Sequence, residues 1–322
     1  MVTGPRTLAQ VSEGDLLAEI FPYFAAHDGL LIGPGDDAAV IATGGSVVAT
    51  TDAMVRGRDW VDEWSTAADV ATKAFTQNVA DVAAMGAVPT SLLVTLVADP
   101  QTPVQWAVDF ACTLGRLAQE SSVAVAGGDL SSAPTGTLMV SVTALGDLGG
   151  RRPVLRSGAA PGDTVAVCGT LGRSAAGLAL LQQDLGALAE VDGLRAECVA
   201  HHLRPVAPVE AGPAAAGAGA TSMLDLSDGL LRDGDRIARA SGVRIALDSE
   251  LLRPDTDVLA QVVGGAEALE CVLAGGEEHS LLATFAGALP DGWRPLGRVE
   301  VGEGVTLDGS PQAPRGWDHF AG

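Results

Sequence analysis

The chain has 322 residues, of which 47% are hydrophobic and 4% aromatic, so we expect two domains with aliphatic cores. Its 40 acidic residues outnumber its 19 basic residues and give a formal net charge of −21. This balance argues against nucleic acid and anionic membranes as partners, because both attract basic surfaces. Anionic small molecules stay acceptable ligands where metal ions supply the positive charge.

The cysteine pattern favours a reducing compartment, and the hydropathy gives no sign of a signal peptide or of a membrane-spanning helix. The four cysteines lie far apart and form no Cys-x-x-Cys pair, so we expect neither a zinc site nor a disulfide framework. The first residues lack a signal-peptide pattern, and no apolar run approaches the roughly 18 residues that a membrane-spanning helix needs. We therefore expect a cytoplasmic protein.

In chain order, the first half predicts helices mixed with strands. Ser12 to Asp15 has the pattern of a capping box that opens a helix ending near Ala26, and Thr66 to Asp69 repeats the pattern before a long helix to about Met85. A further helix is predicted over 103–120. Strands are predicted over 47–50, 91–98, 122–126 and 137–145. The strand over 122–126 is expected to break at Gly127-Gly128-Asp129.

The segment 146–162 is rich in glycine, proline and arginine and is the predicted domain boundary. After it, strands and helices alternate. Strands are predicted over 164–168, 222–226, 243–247 and 279–285. Helices are predicted over 173–183, 194–203, 209–218 and 229–240. The pattern predicts an α/β (α+β) protein with one domain over residues 1–148 and a second over residues 149–322.

Aspartates recur at glycine turns, at strand ends and on one face of the predicted long helix. The set consists of Asp36, Asp37, Asp52, Asp81, Asp129, Asp225 and Asp228. Crowded carboxylates repel one another unless they share a cation, and hard oxygen ligands suit Mg²⁺, which usually accompanies phosphate. We predict that these side chains converge on Mg²⁺ and a phosphate-bearing ligand. For any single aspartate, a solvated turn or strand end is the alternative.

Other phosphate-binding devices are absent from the sequence. No Gly-x-x-x-x-Gly-Lys-Ser/Thr motif occurs, and Lys73, inside the predicted long helix, is the only lysine, which argues against a P-loop enzyme. No Gly-x-Gly-x-x-Gly follows a strand, and neither a nucleophile elbow nor a His-Glu-x-x-His pair occurs. Arg156 is a candidate phosphate clamp because its planar guanidinium matches phosphate oxygens, with a plain surface arginine as the alternative.

The motifs occur in the order found in thiamine-monophosphate kinases, which the chain resembles over nearly its whole length. The series consists of Gly35-Asp36-Asp37-Ala38-Ala39, Thr50-Thr51-Asp52, Gln77-Asn78-Val79-Ala80-Asp81, Gly127-Gly128-Asp129, Leu155-Arg156-Ser157-Gly158, Asp225-Leu226-Ser227-Asp228-Gly229-Leu230, Gly275-Gly276-Glu277 and Gly316-Trp317-Asp318-His319-Phe320. Relatives such as aminoimidazole ribonucleotide synthetase and selenophosphate synthetase share single motifs, whereas the full series is specific.

The resemblance implies the fold and the activity. It implies an aminoimidazole ribonucleotide synthetase-like architecture, in which an N-terminal ATP- and Mg²⁺-binding α/β domain forms a β-barrel across a homodimer and a second α/β domain follows. The implied reaction is in-line transfer of a phosphoryl group from ATP to thiamine monophosphate, giving thiamine diphosphate, with several Mg²⁺ ions. The attacking phosphate oxygen is already ionised at neutral pH, so no general base is expected and charge neutralisation is the main task.

The resemblance also implies a role for each matching residue. The implied Mg²⁺ ligands are Asp37, Thr50, Thr51, Asp52, Asp81, Asp129, Asp225 and Asp228. The residues implied to face ATP are Gly128, Asp129, Arg156 and Ser227. Glu277 and Trp317 are implied to face thiamine monophosphate, and Asp59 occupies a further position near that substrate. Trp317 suits the cationic thiazolium, with packing of the C-terminal tail as the alternative.

Two departures from the family pattern concern the phosphate acceptor. Asp59, in Val55-Arg56-Gly57-Arg58-Asp59-Trp60, replaces the histidine of Val-Glu-Gly-x-His-Phe with a negative charge that could repel the substrate phosphate, or bind a cation or the aminopyrimidine. Glu278 replaces the aspartate of Gly-Gly-Glu-Asp. Two alternatives therefore stay open: a superfamily relative that phosphorylates another acceptor, and a non-catalytic regulator that binds Mg²⁺ and nucleotide.

Overall fold

The computed structural model describes residues 5–32, 39–183 and 193–317 and divides the chain into two compact units. The first unit contains Met1–Val82 and Pro89–Gly150, and the second contains Ala83–Val88 and Arg151–Gly322. The assignment of separate functions to residues 1–148 and 149–322 stays a prediction. Among the described residues, no helix is long and apolar enough to cross a membrane.

The first unit is built on a four-stranded sheet. Within the described residues, its strands are β1 (Leu30–Ile32), β2 (Val40–Ile41), β3 (Val47–Val55), β4 (Val88–Ala98), β5 (Ala124–Ser132) and β6 (Leu138–Asp147). The sheet order is β3-β6-β4-β5, with β3 antiparallel to β6 and β4 parallel to β5, while β1 and β2 pair with each other. β3 and β5 are therefore the edge strands.

Capping boxes begin two helices of this unit, as the sequence predicts. The helices are α1 (Glu13–Ile20), α2 (Ala67–Ala84) and α3 (Val104–Glu120). At α1 the Asp15 amide donates to the Ser12 hydroxyl over 3.1 Å, and before α2 the Thr66 amide donates to the Asp69 carboxylate over 2.8 Å. The prediction that the first helix continues to about residue 26 is wrong, because Pro22 lies in a 3-10 turn after Ile20.

The predicted break at the glycine pair is also wrong, because β5 runs through it. Leu92 pairs with Val125 and Leu93 with Gly127, so one residue of β5 bulges out of the ladder and the strand then continues to Ser132. A Cβ atom at Gly128 would lie 1.8 Å from the carbonyl oxygen of Val94. The second glycine therefore lets two parallel strands approach where a larger residue would separate them.

The second unit is built on a seven-stranded sheet. Its strands are β7 (Thr164–Cys168), β8 (Ala220–Asp225), β9 (Arg244–Leu247), β10 (Leu281–Phe285), β11 (Trp293–Glu300), β12 (Gly304–Leu307) and β13 (Ser310–Gln312). Their order is β13-β12-β9-β11-β7-β10-β8, and β9 pairs in parallel with β12. β10 is buried along its whole length, which explains why four of its five residues, all but Thr284, are apolar.

Helices pack around this sheet. They are α4 (Arg173–Gln183), α5 (Gly193–Leu203), α6 (Ala211–Gly217), α7 (Leu230–Ser241), α8 (Ser249–Val263) and α9 (Gly265–Ala274). The sequence pattern predicts the first four of these but not α8 and α9, where Pro254 and Gly264 interrupt the helical pattern. It also misses β11 to β13, because Pro295 and closely spaced glycines resemble turn signals.

Candidate active site

In the first unit, the structure brings Thr50 of β3 into contact with Asp81 of α2. The Thr50 hydroxyl donates to the Asp81 carboxylate over 2.7 Å, and both residues are partly buried. Asp52 lies two residues beyond Thr50, so its side chain projects from the same face of the strand. Three of the predicted Mg²⁺ ligands therefore belong to one strand face and the helix that contacts it.

Thr51 projects from the opposite face of β3. Its hydroxyl donates to the carbonyl of Val142 over 3.1 Å and lies 3.0 Å from the hydroxyl of Thr143, both on β6. This position follows from the two-residue period of a strand, which separates neighbouring side chains. The side chain of Thr51 thus serves the β3–β6 pairing, and its predicted role as a Mg²⁺ ligand stays a prediction.

Gly127, Gly128 and Asp129 of β5 line a cavity of about 770 Å³ within the first unit. Apolar side chains from α1 and α3, among them Ile20 and Phe110, form much of its wall. The Asp129 carboxylate is exposed and accepts a hydrogen bond of 2.9 Å from the hydroxyl of Ser131. An apolar cavity with a few polar groups at one side is the usual form of a small-molecule site.

The remaining predicted residues of the first unit are Asp36, Asp37 and Asp59. Asp36 and Asp37 lie outside the described residues, as do residues 318–320 of the C-terminal motif in the second unit. The carboxylate of Asp59, a departure from the family pattern, accepts a hydrogen bond of 2.6 Å from the amide of Val55. The carboxylate of Asp59 thereby stabilises the turn after β3.

The donor atoms in the first unit fit Mg²⁺. Among the described residues, no group of three or more His, Cys, Asp or Glu side chains is arranged to hold a metal ion. Mg²⁺ does not need such a group, since it usually keeps several waters and binds one or two carboxylates together with substrate phosphates. The Thr50–Asp81 contact beside Asp52 supplies hard oxygen donors of this kind.

In the second unit, antiparallel pairing of β8 with β10 brings two predicted motifs together. Asp225, the last residue of β8, pairs with Leu281, the first residue of β10. Just beyond this pair, the Glu277 amide donates to the Ser227 carbonyl and the His279 amide donates to the Leu226 carbonyl, each over 2.8 Å. The segments 225–229 and 275–279 are therefore joined side by side through their backbones.

Trp317, near the C-terminus, contacts the paired segments 225–229 and 275–279. Its amide donates to the carbonyl of Asp228 over 3.0 Å, and its Cβ lies 3.6 Å from the Cβ position of Gly276. A Cβ atom at Gly316 would lie 2.0 Å from the Asp228 carbonyl oxygen, so only glycine allows this approach. Trp317 as a whole residue is 48% exposed, so a ligand can reach it from solvent.

Carboxylates of this site are paired with nitrogen-bearing side chains. Arg236 of α7 binds both Asp228 and the fully buried Asp233, and Nδ1 of His279 lies 3.2 Å from the Asp225 carboxylate. Burial raises the pKa of Asp233 to about 7, the carboxylate of Asp225 adds to the rise, and Arg236 opposes it. Arg236 and Asp233 are not among the residues predicted from the sequence, although an acidic residue in the first turn of a helix is a recognisable signal.

Glu278, the second departure from the family pattern, is only 1% exposed. Its carboxylate accepts hydrogen bonds from the hydroxyl of Thr170 and, over 3.0 Å, from the amide of Ser174 near the start of α4. These hydrogen bonds connect the segment that contains Glu278 to the start of α4 and stabilise the fold there. The side chain of Glu278, longer by one methylene than the family's aspartate, therefore points into the protein interior.

Arg156 is exposed and lies near the other end of α7. Its carbonyl accepts a hydrogen bond of 3.1 Å from the hydroxyl of Ser241, the last residue of that helix, whereas Asp228 precedes the first. Within the second unit, the described contacts therefore do not bring Arg156 together with Asp228 and Glu277. Its predicted role as a phosphate clamp stays a prediction.

Comparisons with known proteins match this chain to a family model and to curated relatives. A family model described as AIR synthase related protein, N-terminal domain, matches residues 35–148. The thiamine-monophosphate kinase of Mycobacterium tuberculosis is 41% identical over 326 residues, which cover 100% of this chain and 94% of that protein.

Solved structures give the same result. The thiamine-monophosphate kinase from Stenotrophomonas maltophilia K279a superposes with a TM-score of 0.82 at 32% identity, covering 94% of this chain and 98% of that one. A structure described as AaThiL complexed with AMPPCP and TMP has a TM-score of 0.78 at 32% identity, covering 88% and 91%. These likenesses confirm the predicted fold class, while the β-barrel across a homodimer stays a prediction.

Proposed function

Because this chain belongs to the thiamine-monophosphate kinase family, we propose that it phosphorylates thiamine monophosphate with ATP and forms thiamine diphosphate. The observation that carries the proposal is the gathering of Ser227, Asp228, Glu277 and Trp317 at one place in the second unit. These residues come from three distant segments of the sequence, and each matches a family motif. The likeness to a structure described as a complex with AMPPCP and TMP supports both substrates.

The residues suit a reaction that joins two anions. A phosphate oxygen of the acceptor is ionised at neutral pH, so the chain has no need to remove a proton and instead has to bind and align both molecules. Thr50, Asp52 and Asp81 would hold Mg²⁺, with Asp37, Asp129, Asp225 and Asp228 as further candidates. Bound Mg²⁺ would neutralise phosphate charge and orient the transferred group.

The cavity beside Gly128 and Asp129 supports binding of ATP to the first unit. Its volume of about 770 Å³ and its apolar wall suit a nucleotide base, while Asp129 stands at the side where phosphates and their metal ions would lie. Residues 1–148 would thus form the nucleotide-binding domain and residues 149–322 the domain that presents Glu277 and Trp317. Arg156 is proposed as an additional phosphate contact.

We also propose a cytoplasmic homodimer. β3 is an edge strand, and Val47 and Val55 on it are 44% and 38% exposed. An exposed edge with apolar side chains favours pairing with another chain. Sedimentation equilibrium would test the dimer, and a monomer at micromolar concentration would contradict it.

The test of the activity is direct. The protein is incubated with ATP, Mg²⁺ and thiamine monophosphate, and the thiamine esters are separated by chromatography. We expect one thiamine diphosphate for each ADP released, and no product when the metal is removed with a chelator. ADP release that requires another acceptor would favour a superfamily relative, and nucleotide binding without turnover would favour a regulator.

A further inference from the structure

The backbone around Glu278 is held in an uncommon conformation. Glu277 and His279 have φ angles of 57° and 55°, in the left-handed region that residues other than glycine rarely occupy. Such residues persist only where their surroundings hold them, and they occur often at binding sites. The contacts that hold this segment therefore bear on the direction in which Glu277 points.

Ser174 connects to both glutamates. Its amide donates to the Glu278 carboxylate over 3.0 Å, and its hydroxyl lies 3.1 Å from Nδ1 of His202. The same Nδ1 lies 3.5 Å from Oε2 of Glu277. The side chain of His202 is 7% exposed and that of Glu277 is 36% exposed, so the imidazole lies inside the protein and the carboxylate reaches solvent.

Nδ1 of His202 has two neighbours, the hydroxyl of Ser174 and Oε2 of Glu277. Without a proton, its lone pair can accept a hydrogen bond from Ser174 but repels the carboxylate oxygen. A protonated Nδ1 instead attracts that oxygen and leaves the Ser174 hydroxyl to accept or to turn away. Hydrogen bonds and close contacts to charged groups inside proteins contribute more than neutral ones, so this contact can orient the carboxylate.

We propose that His202 is a positioning residue that holds the Glu277 carboxylate toward the cationic, amine-bearing part of the acceptor. The inference rests on the proposed function. A carboxylate repels the acceptor's phosphate but attracts a thiazolium or an exocyclic amine, and the half-exposed Trp317 beside Gly276 adds an aromatic face for the same rings. His202 thereby contributes to substrate choice without touching the substrate.

The test compares His202→Leu with His202→Asn, whose amide can donate from about the position of Nδ1. We expect His202→Leu to raise the KM for thiamine monophosphate and its Kd, measured by calorimetry, about tenfold, the loss of one contact to a charged group. The KM for ATP should stay within about twofold, and His202→Asn should restore most of the acceptor affinity.

A double-mutant cycle separates positioning from a general structural effect. In a Glu277→Gln background, His202→Leu should change the Kd for the acceptor by less than about twofold, because the two residues act as one unit. His27→Leu is the matched control, since the imidazole of His27 lies 2.8 Å from the carbonyl oxygen of Ser122 in the first unit, and its Kd should stay near that of the wild type. If His202→Leu fails to fold, His202→Phe, which keeps a planar ring without a nitrogen, serves in the same cycle.

Two failures are distinguishable. A wild-type protein that neither binds nor phosphorylates thiamine monophosphate would overturn the proposed function and this inference with it. An active wild-type protein whose acceptor Kd is unchanged in folded His202→Leu, or whose two substitutions have fully additive effects, would overturn this inference alone.

Discussion

The predicted ligands in the two units have different partners. In the first unit, Asp81 accepts a hydrogen bond from the hydroxyl of Thr50, and Asp129 accepts one from the hydroxyl of Ser131. In the second unit, Asp228 is paired with a guanidinium and Asp225 lies beside an imidazole. Both sets of carboxylates come from the same recurring sequence pattern.

This difference shows that aspartates from similar sequence motifs can differ in how much of their negative charge a neighbouring cation offsets. A hydroxyl donor orients a carboxylate without cancelling its negative charge, whereas Arg236 offsets the charge of Asp228. A divalent cation is attracted most strongly where negative charge is not offset by a neighbouring cation. We therefore expect substitutions in the Thr50–Asp81 region to affect turnover most and substitutions around Arg236 to affect folding most.

The largest effect is expected for Asp52→Asn. Loss of a Mg²⁺ ligand should lower kcat by about 1000-fold, equivalent to about 4 kcal/mol, with little change in thermal unfolding. Asp109→Asn is the control, because this exposed carboxylate on α3 bonds to Gln105. Rates of thiamine diphosphate formation at several Mg²⁺ concentrations are the measurement, and normal activity of Asp52→Asn would count against its metal role.

Thr50→Val and Thr51→Val sharpen the same prediction. The Thr50 hydroxyl orients Asp81, whereas that of Thr51 bonds to β6. We expect Thr50→Val to lose about tenfold more activity than Thr51→Val, since one hydrogen bond to a charged group is worth about 1.5 kcal/mol or more. Equal losses would show that both faces of β3 serve the metal.

A loss of about 3 kcal/mol in the free energy of unfolding is expected for Arg236→Gln. The substitution leaves Asp233, which is fully buried, without its guanidinium partner. Arg116→Gln is the control, because the exposed Arg116–Glu120 pair should contribute about 0.5 kcal/mol or less. Urea unfolding measures both, and similar losses would contradict the assignment of Arg236 to the fold.

A further effect is a pH dependence of stability carried by Asp233. Burial raises the pKa of this carboxyl to about 7, so the folded state binds its proton more tightly than the unfolded chain does. The stability it contributes is present at low pH and is lost as the pH rises to about 7. Compared with wild type, Asp233→Asn should therefore lose less stability between pH 5 and about 7 in metal-free urea titrations.

Asp308 gives the opposite sign and serves as the comparison. The amide of Ser249 lowers the pKa of this carboxyl, so its contribution is present above the pKa of the unfolded chain and is lost as the pH falls. Asp308→Asn should flatten the acidic side of the stability profile. An unchanged difference between wild type and Asp233→Asn from pH 5 to 8 would rule out titration of Asp233 in this range.

The sequence by itself determined the elements whose signals are local. The capping boxes at Ser12 and Thr66 lie within four residues of the helices they begin, and the mostly apolar sequence of β10 marks a central strand. The order of the motifs along the chain determined the family, because each motif is a short run of adjacent residues. The opposite faces taken by Thr50 and Thr51 follow from the strand period alone.

Only the tertiary structure decided which distant residues meet. The glycine pair in β5 signals a break within its own segment, but the neighbouring strand β4 makes it a close approach inside a continuous strand. His202 and Glu277 lie on segments far apart in sequence, and nothing near either one identifies the other. Side-chain pairs of this kind arise from packing between elements, which depends on the whole fold and not on the residues beside them.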